Sequence, residues 1–276
     1  MSKDQKDAGE FLLRKLSKVN DNDQLLMFLH GSPGTGKSFL LKRLKNFTNV
    51  LMRITATSGI AAMSLNGSTI DYLLDKRYVD GTNKQSNNLG SRTEKIEKRL
   101  GKSTLIILDE VSMLSCAKFV EMDSLLRKVK KSDLPFGGLD VLLVGDFAQL
   151  PPVMATSIIT ALVQCTHEFI VPEKDILLAS ELASRFLKFD LKTLIRSKGC
   201  TKLKELLQKY RSIDNTEPSL TMEQIQEIGI IDRKTLKKDK LFKEATILVS
   251  TRRERDKLTE SLAQIWAKRS GIPLYW

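Results

Sequence analysis

Residues 25–45, LLMFLHGSPGTGKSFLLKRLK, decide the fold of this chain. An apolar run, a glycine-rich turn and a helix-forming run follow one another, which predicts a strand, a loop and a helix. Gly31, Gly36, Lys37 and Ser38 have the spacing G-x-x-x-x-G-K-S, which makes a phosphate cradle in this context. The sequence therefore predicts a nucleoside triphosphate site rather than a chance glycine loop. Its predicted phosphate-binding residues are Gly31, Ser32, Pro33, Gly34, Thr35, Gly36, Lys37 and Ser38.

Each part of this loop has a predicted chemical role. The glycines allow backbone N–H groups to converge on an anion, and the positive end of the following helix adds to the attraction. We expect Lys37 to reach the β- and γ-phosphates of ATP, and the hydroxyl of Ser38 to bind Mg²⁺. ATP and Mg²⁺ are therefore the predicted cofactors.

Two further apolar strands end in acidic residues. Leu105–Leu108 leads into Asp109 and Glu110, and Val141–Val144 leads into Gly145-Asp146. Continuous apolar strands between helices are typical of a parallel sheet that is buried on both faces. Ligands of such sheets lie beyond the carboxyl ends of the strands, so we expect these ends to converge on one site. Asp109 is predicted to hold Mg²⁺, and Glu110 is predicted to act as base for the attacking water.

The loop after the second of these strands, GDFAQLPPV, carries Gln149. Its neutral side chain is a candidate contact for the γ-phosphate, which would make it a reporter of whether that phosphate is present. Pro151 and Pro152 would stiffen the loop. A proline-ended surface loop is the plainer alternative, and the combination with the other motifs argues against it.

Composition restricts the class of protein. The chain has 276 residues, 41% hydrophobic and 28% charged, which is typical of a soluble globular protein with one large or two smaller domains. We find no apolar run of about 20 residues and no secretory signal. Three cysteines without C-x-x-C spacing predict no zinc site and a reducing, intracellular compartment, with nucleus, cytoplasm and viral factory left open.

Positive charge is concentrated in the C-terminal third. The formal net charge is +12, and the residues from Arg185 onward contribute +9 of it, with 21 basic and 12 acidic side chains. A polyanion-binding surface needs such an excess, because neutralising phosphates dominates nucleic-acid affinity. A solvated basic face that aids solubility is an equally good explanation of the charge alone.

The order of predicted elements suggests two domains. The first is predicted to span residues 1–172, with a polar insertion at about 80–103, and the second residues 173–276. The pattern restarts with the strand-like run Phe186–Ile195. A helix at Thr201–Tyr210, a strand at Ala245–Ser250 and a helix from about Glu254 to Ser270 are predicted to follow.

Four segments together resemble the superfamily 1 DNA helicases of the petite-integration-frequency (PIF) type, relatives of RecD. They are GSPGTGKS (31–38), ATSGIAAMSLNGSTI (56–70), LDEVSML (108–114) and GDFAQLPPV (145–153). The resemblance covers residues 1–160 well and the rest thinly. It implies an α/β fold with RecA-like parallel sheets in two lobes, ATP hydrolysis in their cleft, and 5′-to-3′ movement on single-stranded DNA. It also suggests roles in DNA repair, recombination and telomere maintenance.

The resemblance assigns further residues. Gln5 matches a glutamine that contacts adenine. The segments around residues 57–62 and 67–70 match motifs that contact the DNA strand. Asp71 stands where the family usually has a histidine, and its negative charge is unfavourable near DNA. The residues implied to bind DNA are Thr57, Ser58, Gly59, Gly67 and Thr69.

Toward the C-terminus the match weakens. Arg196 in TLIRSKG is implied to be an arginine finger that reaches the γ-phosphate, although Ser197-Lys198-Gly199 replaces the usual glutamine and aspartate. The chain ends at Trp276 before the remaining helicase motifs. We therefore expect an incomplete second lobe in an N-terminal fragment, a split gene product or a decayed relative. A second polypeptide is one predicted source of the missing motifs.

Three functions are compatible with these motifs. The first is an ATP-dependent DNA helicase or translocase. The second is an ATP-gated module that binds DNA or a partner without autonomous unwinding. The third is a phosphate-loop NTPase unrelated to nucleic acid, such as a small-molecule kinase, against which GDFAQLPPV argues.

Overall fold

The computed structural model describes residues 1–17, 23–79, 82–84, 89–165, 173–196, 205, 249 and 251–271. The chain divides into two compact units, Met1–Ser212 and Ile213–Trp276. The strands described in the first unit are β1 Leu26–Gly31, β2 Met52–Ala56, β3 Ser68–Thr69, β4 Arg77–Val79, β5 Thr82–Lys84, β6 Leu105–Asp109, β7 Asp140–Gly145 and β8 Leu187–Leu191. Its α-helices are α1 Lys3–Ser17, α2 Lys37–Phe47, α3 Gly59–Ser64, α4 Ile70–Leu73, α5 Leu89–Leu100, α6 Cys116–Lys130, α7 Ile158–Gln164 and α8 Lys174–Ser184.

Six strands form one sheet in the order β3-β2-β6-β7-β1-β8. Every pairing in this sheet is parallel. Strands β4 and β5 form a separate antiparallel pair. The predicted α/β fold, with a parallel sheet between helices, is confirmed.

Both faces of the sheet are apolar, as the unbroken hydrophobic strands predict. Alternate residues of a strand point to opposite faces. In β1, Met27 and Leu29 pack with α1 and α2, whereas Leu26 and Phe28 belong to the opposite cluster with α5, α6 and α8. Because helices cover both faces, the carboxyl edge of the sheet is where loops are free to build a site.

Two regions differ from the predicted organisation. The polar stretch 80–103 contains α5, whose Ile96 and Leu100 are buried in the core, so part of this stretch packs into the domain. The run Phe186–Ile195 contains β8, which pairs with β1 at the edge of the first sheet. The boundary predicted between residues 172 and 173 thus does not coincide with the division after Ser212.

In the second unit, the structure describes helix α9, Arg252–Ser270. It begins with a capping box in which Thr251 and Glu254 satisfy each other's backbone N–H groups, and Gly271 ends it in a left-handed conformation. The helix and strand predicted at 201–210 and 245–250 lie almost entirely outside the described residues. An incomplete second RecA-like domain stays a prediction. Among the described residues, no helix combines the length and apolarity that a membrane span needs.

Candidate nucleotide site and DNA interface

The phosphate loop, Gly31–Ser38, connects β1 to α2 in a tight turn. Gly34 and Gly36 have φ of 86° and 84°, in the left-handed region that side chains disfavour. The backbone N–H of Thr35 donates to the carbonyl of Ser32 at 3.2 Å, and so does its hydroxyl at 2.8 Å. These bonds shape the loop from within and place it ahead of the α2 N-terminus, where unpaired N–H groups favour anions.

Lys37 is the first residue of α2 and extends back along the loop. Its Nζ donates to the carbonyl of Gly31 at 2.5 Å and lies 3.3 Å from that of Ser32. The ammonium group is thereby held over the loop, on the side where phosphates would lie. Ser38 follows Lys37 in the chain, and both residues line one open cleft beside the loop.

Gln5 on α1 is fully buried against the phosphate loop. Its Nε2 donates to the carbonyl of Thr35 at 2.8 Å, and its Oε1 accepts from the backbone N–H of Ser2 at 3.1 Å. A Cβ on Gly36 would collide with the Gln5 amide, so the glycine is also required for this close approach. The structure therefore brings Gln5 to the nucleotide loop, and its contact with adenine stays a prediction.

Asp109 and Glu110 stand at the end of β6. Asp109 is buried, and this burial raises the pKa of its carboxyl, although the N–H of Glu110 and the charge of Lys37 act in the opposite direction. Its Oδ1 accepts from the backbone N–H of Glu110 at 2.9 Å. Glu110 has φ 56° and ψ 46°, an uncommon left-handed conformation for a non-glycine residue.

Gln149 lies in the loop after β7, which Asp146 anchors. The N–H of Gln149 donates to the Asp146 carbonyl at 3.0 Å, and the N–H of Ala148 donates to the Asp146 carboxylate at 3.1 Å. This turn places Gln149 beside Asp109 and Glu110 at the edge of the cleft.

Arg196 lies above the phosphate loop, beyond the end of β8. The backbone N–H groups of Ile195 and Arg196 donate to the carbonyl of Gly34 at 2.8 and 3.1 Å. A Cβ on Gly34 would stand 2.9 Å from the Cβ of Arg196, so this glycine too allows close packing. The pairing of β8 with β1 explains why the arginine arrives at this place.

These elements enclose an open cleft of about 1040 Å³, which we call the nucleotide cleft. The residues that line it are Met1, Ser2, Gln5, Pro33, Gly34, Gly36, Lys37, Ser38, Phe39, Asp109, Glu110, Gln149, Thr193, Leu194, Ile195 and Arg196. The five residues predicted to act in hydrolysis therefore lie in one cleft, together with Gln5 and the phosphate loop.

Asp4 holds α1 to the segment that leads from β8 to Arg196, a role that sequence reasoning missed. Its Oδ2 accepts from the backbone N–H groups of Lys192 at 2.7 Å and Thr193 at 2.9 Å. Although partial burial acts to raise it, hydrogen bonds that include these two lower the pKa of Asp4 to about 2. The only local indication of this role is that Asp4 is an acidic residue in the first turn of a helix.

We expect Asp4→Asn to destabilise the protein by about 1 kcal/mol at neutral pH, after allowing for solvent screening. The folded pKa of about 2 lies below the unfolded value of about 3.9. The stabilisation is therefore present above about pH 4 and is lost as the pH falls toward 2. Urea unfolding of wild type and variant from pH 7 to pH 3 measures this difference. Asp7→Asn, an exposed change on the same helix, is the control; a gap that is constant with pH would contradict the assignment.

The first predicted DNA-contacting segment is joined directly to the acidic pair. The N–H of Thr57 donates to the carbonyl of Asp109 at 3.3 Å, and its hydroxyl donates to the carbonyl of Glu110 at 2.9 Å. Ser58 caps α3 by accepting from the N–H of Ala61, and Gly59 begins that helix with open space where a Cβ would lie. The backbone at Gly59 is thus accessible to a ligand.

A second cleft of about 750 Å³, which we call the side groove, runs beside this segment. Ile60 and Leu150 are 86% and 74% exposed on its walls, and exposed apolar side chains of this kind mark interaction sites. Glu110 and Gln149 belong to both the side groove and the nucleotide cleft. The groove is lined by Ser58, Ile60, Ala61, Ser64, Glu110, Ser112, Met113, Ala148, Gln149, Leu150 and Pro151.

The other two predicted DNA contacts lie one strand further out. A Cβ on Gly67 would collide with the carbonyl of Ile54, and Thr69 caps α4 by accepting from the N–H of Tyr72. Neither lines the side groove. The structure thus brings Ser58 to the groove, whereas Gly67 and Thr69 have evident structural roles at β3 and α4.

The charge of Asp71 has a partner. The Nζ of Lys118, on α6, lies 2.8 Å from its Oδ1, at an angle that makes the contact ionic rather than a hydrogen bond. Both side chains are 22% exposed, so solvent screens the pair only in part. The negative charge that the sequence places near the DNA motif is therefore neutralised, and sequence reasoning missed the lysine responsible.

The parallel sheet, the phosphate loop after β1 and the acidic pair after β6 define a phosphate-loop NTPase with a RecA-like fold. Residues 1–169 match the model of the PIF1-like helicase family. The chain belongs to this family.

Individual relatives are similar to only part of the chain. An ATP-dependent DNA helicase Pif1 of Bdellovibrio bacteriovorus is 35% identical over 131 residues, which are 47% of this chain and 30% of that protein. The ATP-dependent DNA helicase PIF5 of Trypanosoma brucei brucei is 32% identical over 131 residues, 46% of this chain and 14% of that protein. The matched part of the chain thus covers less than a third of the length of either relative.

Among solved structures, the fold is similar to that of a Bacteroides Pif1 helicase in complex with ADP-AlF3 and ssDNA. The TM-score is 0.58 at 20% identity, and the match covers 91% of this chain and 56% of that one. At this identity the likeness concerns the fold alone.

Proposed function

We propose that this chain binds ATP and single-stranded DNA and couples ATP hydrolysis to strand movement, as part of an ATP-dependent DNA helicase. The observation that carries this proposal is the pair Glu110 and Gln149, which line both the nucleotide cleft and the side groove. A ligand in the groove would touch the same side chains that face the nucleotide. The relatives named as DNA helicases, and the similar fold that was crystallised with ssDNA, support DNA as the polymer.

The residues of the nucleotide cleft fit ATP and Mg²⁺. Asp109 places a buried carboxylate in the cleft that Ser38 also lines, and oxygen donors of this type are the ligands of hard cations. The loop supplies left-handed glycines, a helix N-terminus and the Lys37 ammonium for the phosphates. When bound, Mg²⁺ would neutralise charge on the phosphates.

The remaining residues have roles that follow from their positions. Lys37 would attract the β- and γ-phosphates, and Glu110 would orient the attacking water and accept its proton. Gln149 would contact the γ-phosphate from the loop shared with the side groove. Arg196 would approach from above Gly34 and stabilise the charge that develops during transfer. Gln5 would contact adenine from its place beneath the loop.

The finer parts of the proposal rest on resemblance. These parts are movement in the 5′-to-3′ direction on single-stranded DNA, an intracellular location, and roles in DNA repair, recombination or telomere maintenance. A second polypeptide that supplies further helicase motifs is also part of the proposal. Contacts of Thr57, Ser58, Gly59, Gly67 and Thr69 with DNA belong to the proposal as well.

The deciding experiment is steady-state ATP hydrolysis by the 276-residue chain, with and without a single-stranded oligonucleotide. We expect hydrolysis that DNA stimulates, and oligonucleotide binding that weakens steeply with salt. ATP binding without turnover would favour the ATP-gated binding module instead. Turnover indifferent to DNA, together with binding indifferent to salt, would contradict the DNA part of the proposal.

We expect Lys118→Ala to weaken oligonucleotide binding about threefold to tenfold at low salt, because Asp71 would lose its neutralising partner. Fluorescence anisotropy measures the change. In the double variant Lys118→Ala, Asp71→Asn the affinity should return, since no uncompensated carboxylate is left. Lys128→Ala, an exposed lysine on the same helix, controls for general loss of charge. Equal weakening by the two lysine variants would refute a specific role of the pair.

A further inference from the structure

We infer that His30 is a positioning residue that fixes the Gln149 loop relative to the Arg196 segment. The inference rests on the proposed function, since it concerns how these two groups meet the γ-phosphate. His30 is one of the two histidines in the chain.

His30 lies on the strand between the two strands that lead to Gln149 and Arg196. It is the residue of β1 immediately before the phosphate loop, and β1 lies between β7 and β8. In the strand register it is opposite Gly145 on one side and Asp190 on the other. The loop after β7 carries Gln149, and the segment after β8 carries Arg196.

The imidazole of His30 joins these two neighbours through their carboxylates. Its Nε2 is 3.3 Å from Oδ1 of Asp146, and its Nδ1 is 2.7 Å from Oδ1 of Asp190. Asp146 is fully buried, and its backbone and side chain hold the turn that presents Gln149. One side chain therefore spans three strands directly below the predicted phosphate contacts.

The imidazole ring of His30 is suited to contacting two carboxylates. The two ring nitrogens lie on opposite edges of the imidazole, and here both face carboxylate oxygens, so a single rigid ring contacts both neighbours. Although burial acts to raise it, hydrogen bonds from His30 and Lys188 hold the pKa of Asp190 below its usual value. The contact with His30 is thus reflected in the lowered pKa of Asp190 as well.

A bridge of this kind should act on the transition state more than on the ground state. ADP would contact the phosphate loop and Gln5, and the hydrogen bonds from Gln5 to Thr35 and from Thr35 to Ser32 do not involve the imidazole of His30. The γ-phosphate position depends on Gln149 and Arg196, whose separation the bridge determines. Interactions that tighten only in the transition state raise turnover without changing product affinity. His30 is therefore expected to control the preference for a γ-phosphate mimic over ADP.

The test compares binding of ADP with binding of ADP plus aluminium fluoride, in the presence of Mg²⁺ and an oligonucleotide. In wild type the fluoride complex should bind much more tightly. His30→Gln, which has one donating nitrogen and an acceptor oxygen in place of two ring nitrogens, should reduce this preference about tenfold and leave ADP affinity within twofold of wild type. Lys188→Gln removes the other partner of Asp190, 3.2 Å away, and should leave the preference unchanged.

A second variant controls for misfolding caused by the change at the half-buried His30. Asp190→Asn changes the bridge at its more exposed end and should reduce the preference as well. Combined with His30→Gln it should add little, because both changes break one link. Equal preference in His30→Gln and wild type, or fully additive effects, would overturn the inference. If wild type itself shows no preference for the fluoride complex, the proposed nucleotide function fails instead.

Discussion

Lys37→Ala is expected to lower ATP hydrolysis at least ~100-fold and to weaken ATP binding. The ammonium is held over the phosphate loop by the carbonyls of Gly31 and Ser32, and is the cation that the G-K-S motif places closest to the phosphates. Alanine keeps the helix start, because it has high helix propensity, and removes the ammonium group together with the rest of the side chain. Phosphate release gives the turnover, and titration with a fluorescent ATP analogue gives the affinity.

Lys42→Ala is the matched control for this change. Lys42 is an exposed lysine on the same helix, α2, and the nucleotide cleft does not include it. The control should retain wild-type turnover. If both variants bind ATP as tightly as wild type does, the nucleotide site has been assigned to the wrong place.

Glu110→Gln should produce a protein that binds ATP but turns it over about 10²–10⁴-fold more slowly. The amide has the shape of the carboxylate and cannot accept the proton of the attacking water. The left-handed backbone at this position depends on the contacts of its main chain, including the bond from Thr57 to its carbonyl, and these survive the change. Single-turnover hydrolysis and ATP binding, measured side by side, separate chemistry from affinity.

Glu97→Gln on α5 is the control, because it removes an exposed carboxylate that lines neither the nucleotide cleft nor the side groove. Wild-type turnover in Glu110→Gln would show that another group activates the water. Loss of ATP binding in that variant would instead indicate a role for Glu110 in holding the nucleotide.

Lys37→Ala and Glu110→Gln also distinguish an effect on nucleotide binding from an effect on oligonucleotide binding. Glu110 lines both clefts, whereas Lys37 lines the nucleotide cleft and is not part of the side groove. Oligonucleotide affinity in the absence of nucleotide should therefore be unchanged in Lys37→Ala. A change in oligonucleotide affinity in Glu110→Gln would indicate that the oligonucleotide contacts Glu110, which lines both clefts.

Much of the first domain could be predicted from local sequence. Strands β1, β6 and β7 are unbroken apolar runs, and such runs are buried wherever a parallel sheet is covered on both faces. The phosphate loop is a local structure, because its glycines and the start of α2 are adjacent in the chain. Asp109 and Glu110 were recognisable since they directly follow such a strand.

Contacts between distant parts of the chain were beyond sequence reasoning. Strand β8 has exposed residues at its start and pairs with β1 only along the sheet edge, so its pattern did not reveal which domain it would join. Asp4 meets Lys192 across 188 residues, and His30 meets Asp190 across 160. No periodicity encodes such pairings, because they depend on how completed strands and helices pack.

The sequence by itself determined the parallel sheet, the phosphate loop and the acidic pair, because burial of apolar strands and glycine geometry act over a few neighbouring residues. Only the tertiary structure decided that Arg196 lies over Gly34, that Lys118 neutralises Asp71, and that Glu110 and Gln149 face two clefts. Each of these depends on the order of strands in the sheet, which arises from packing of both faces at once.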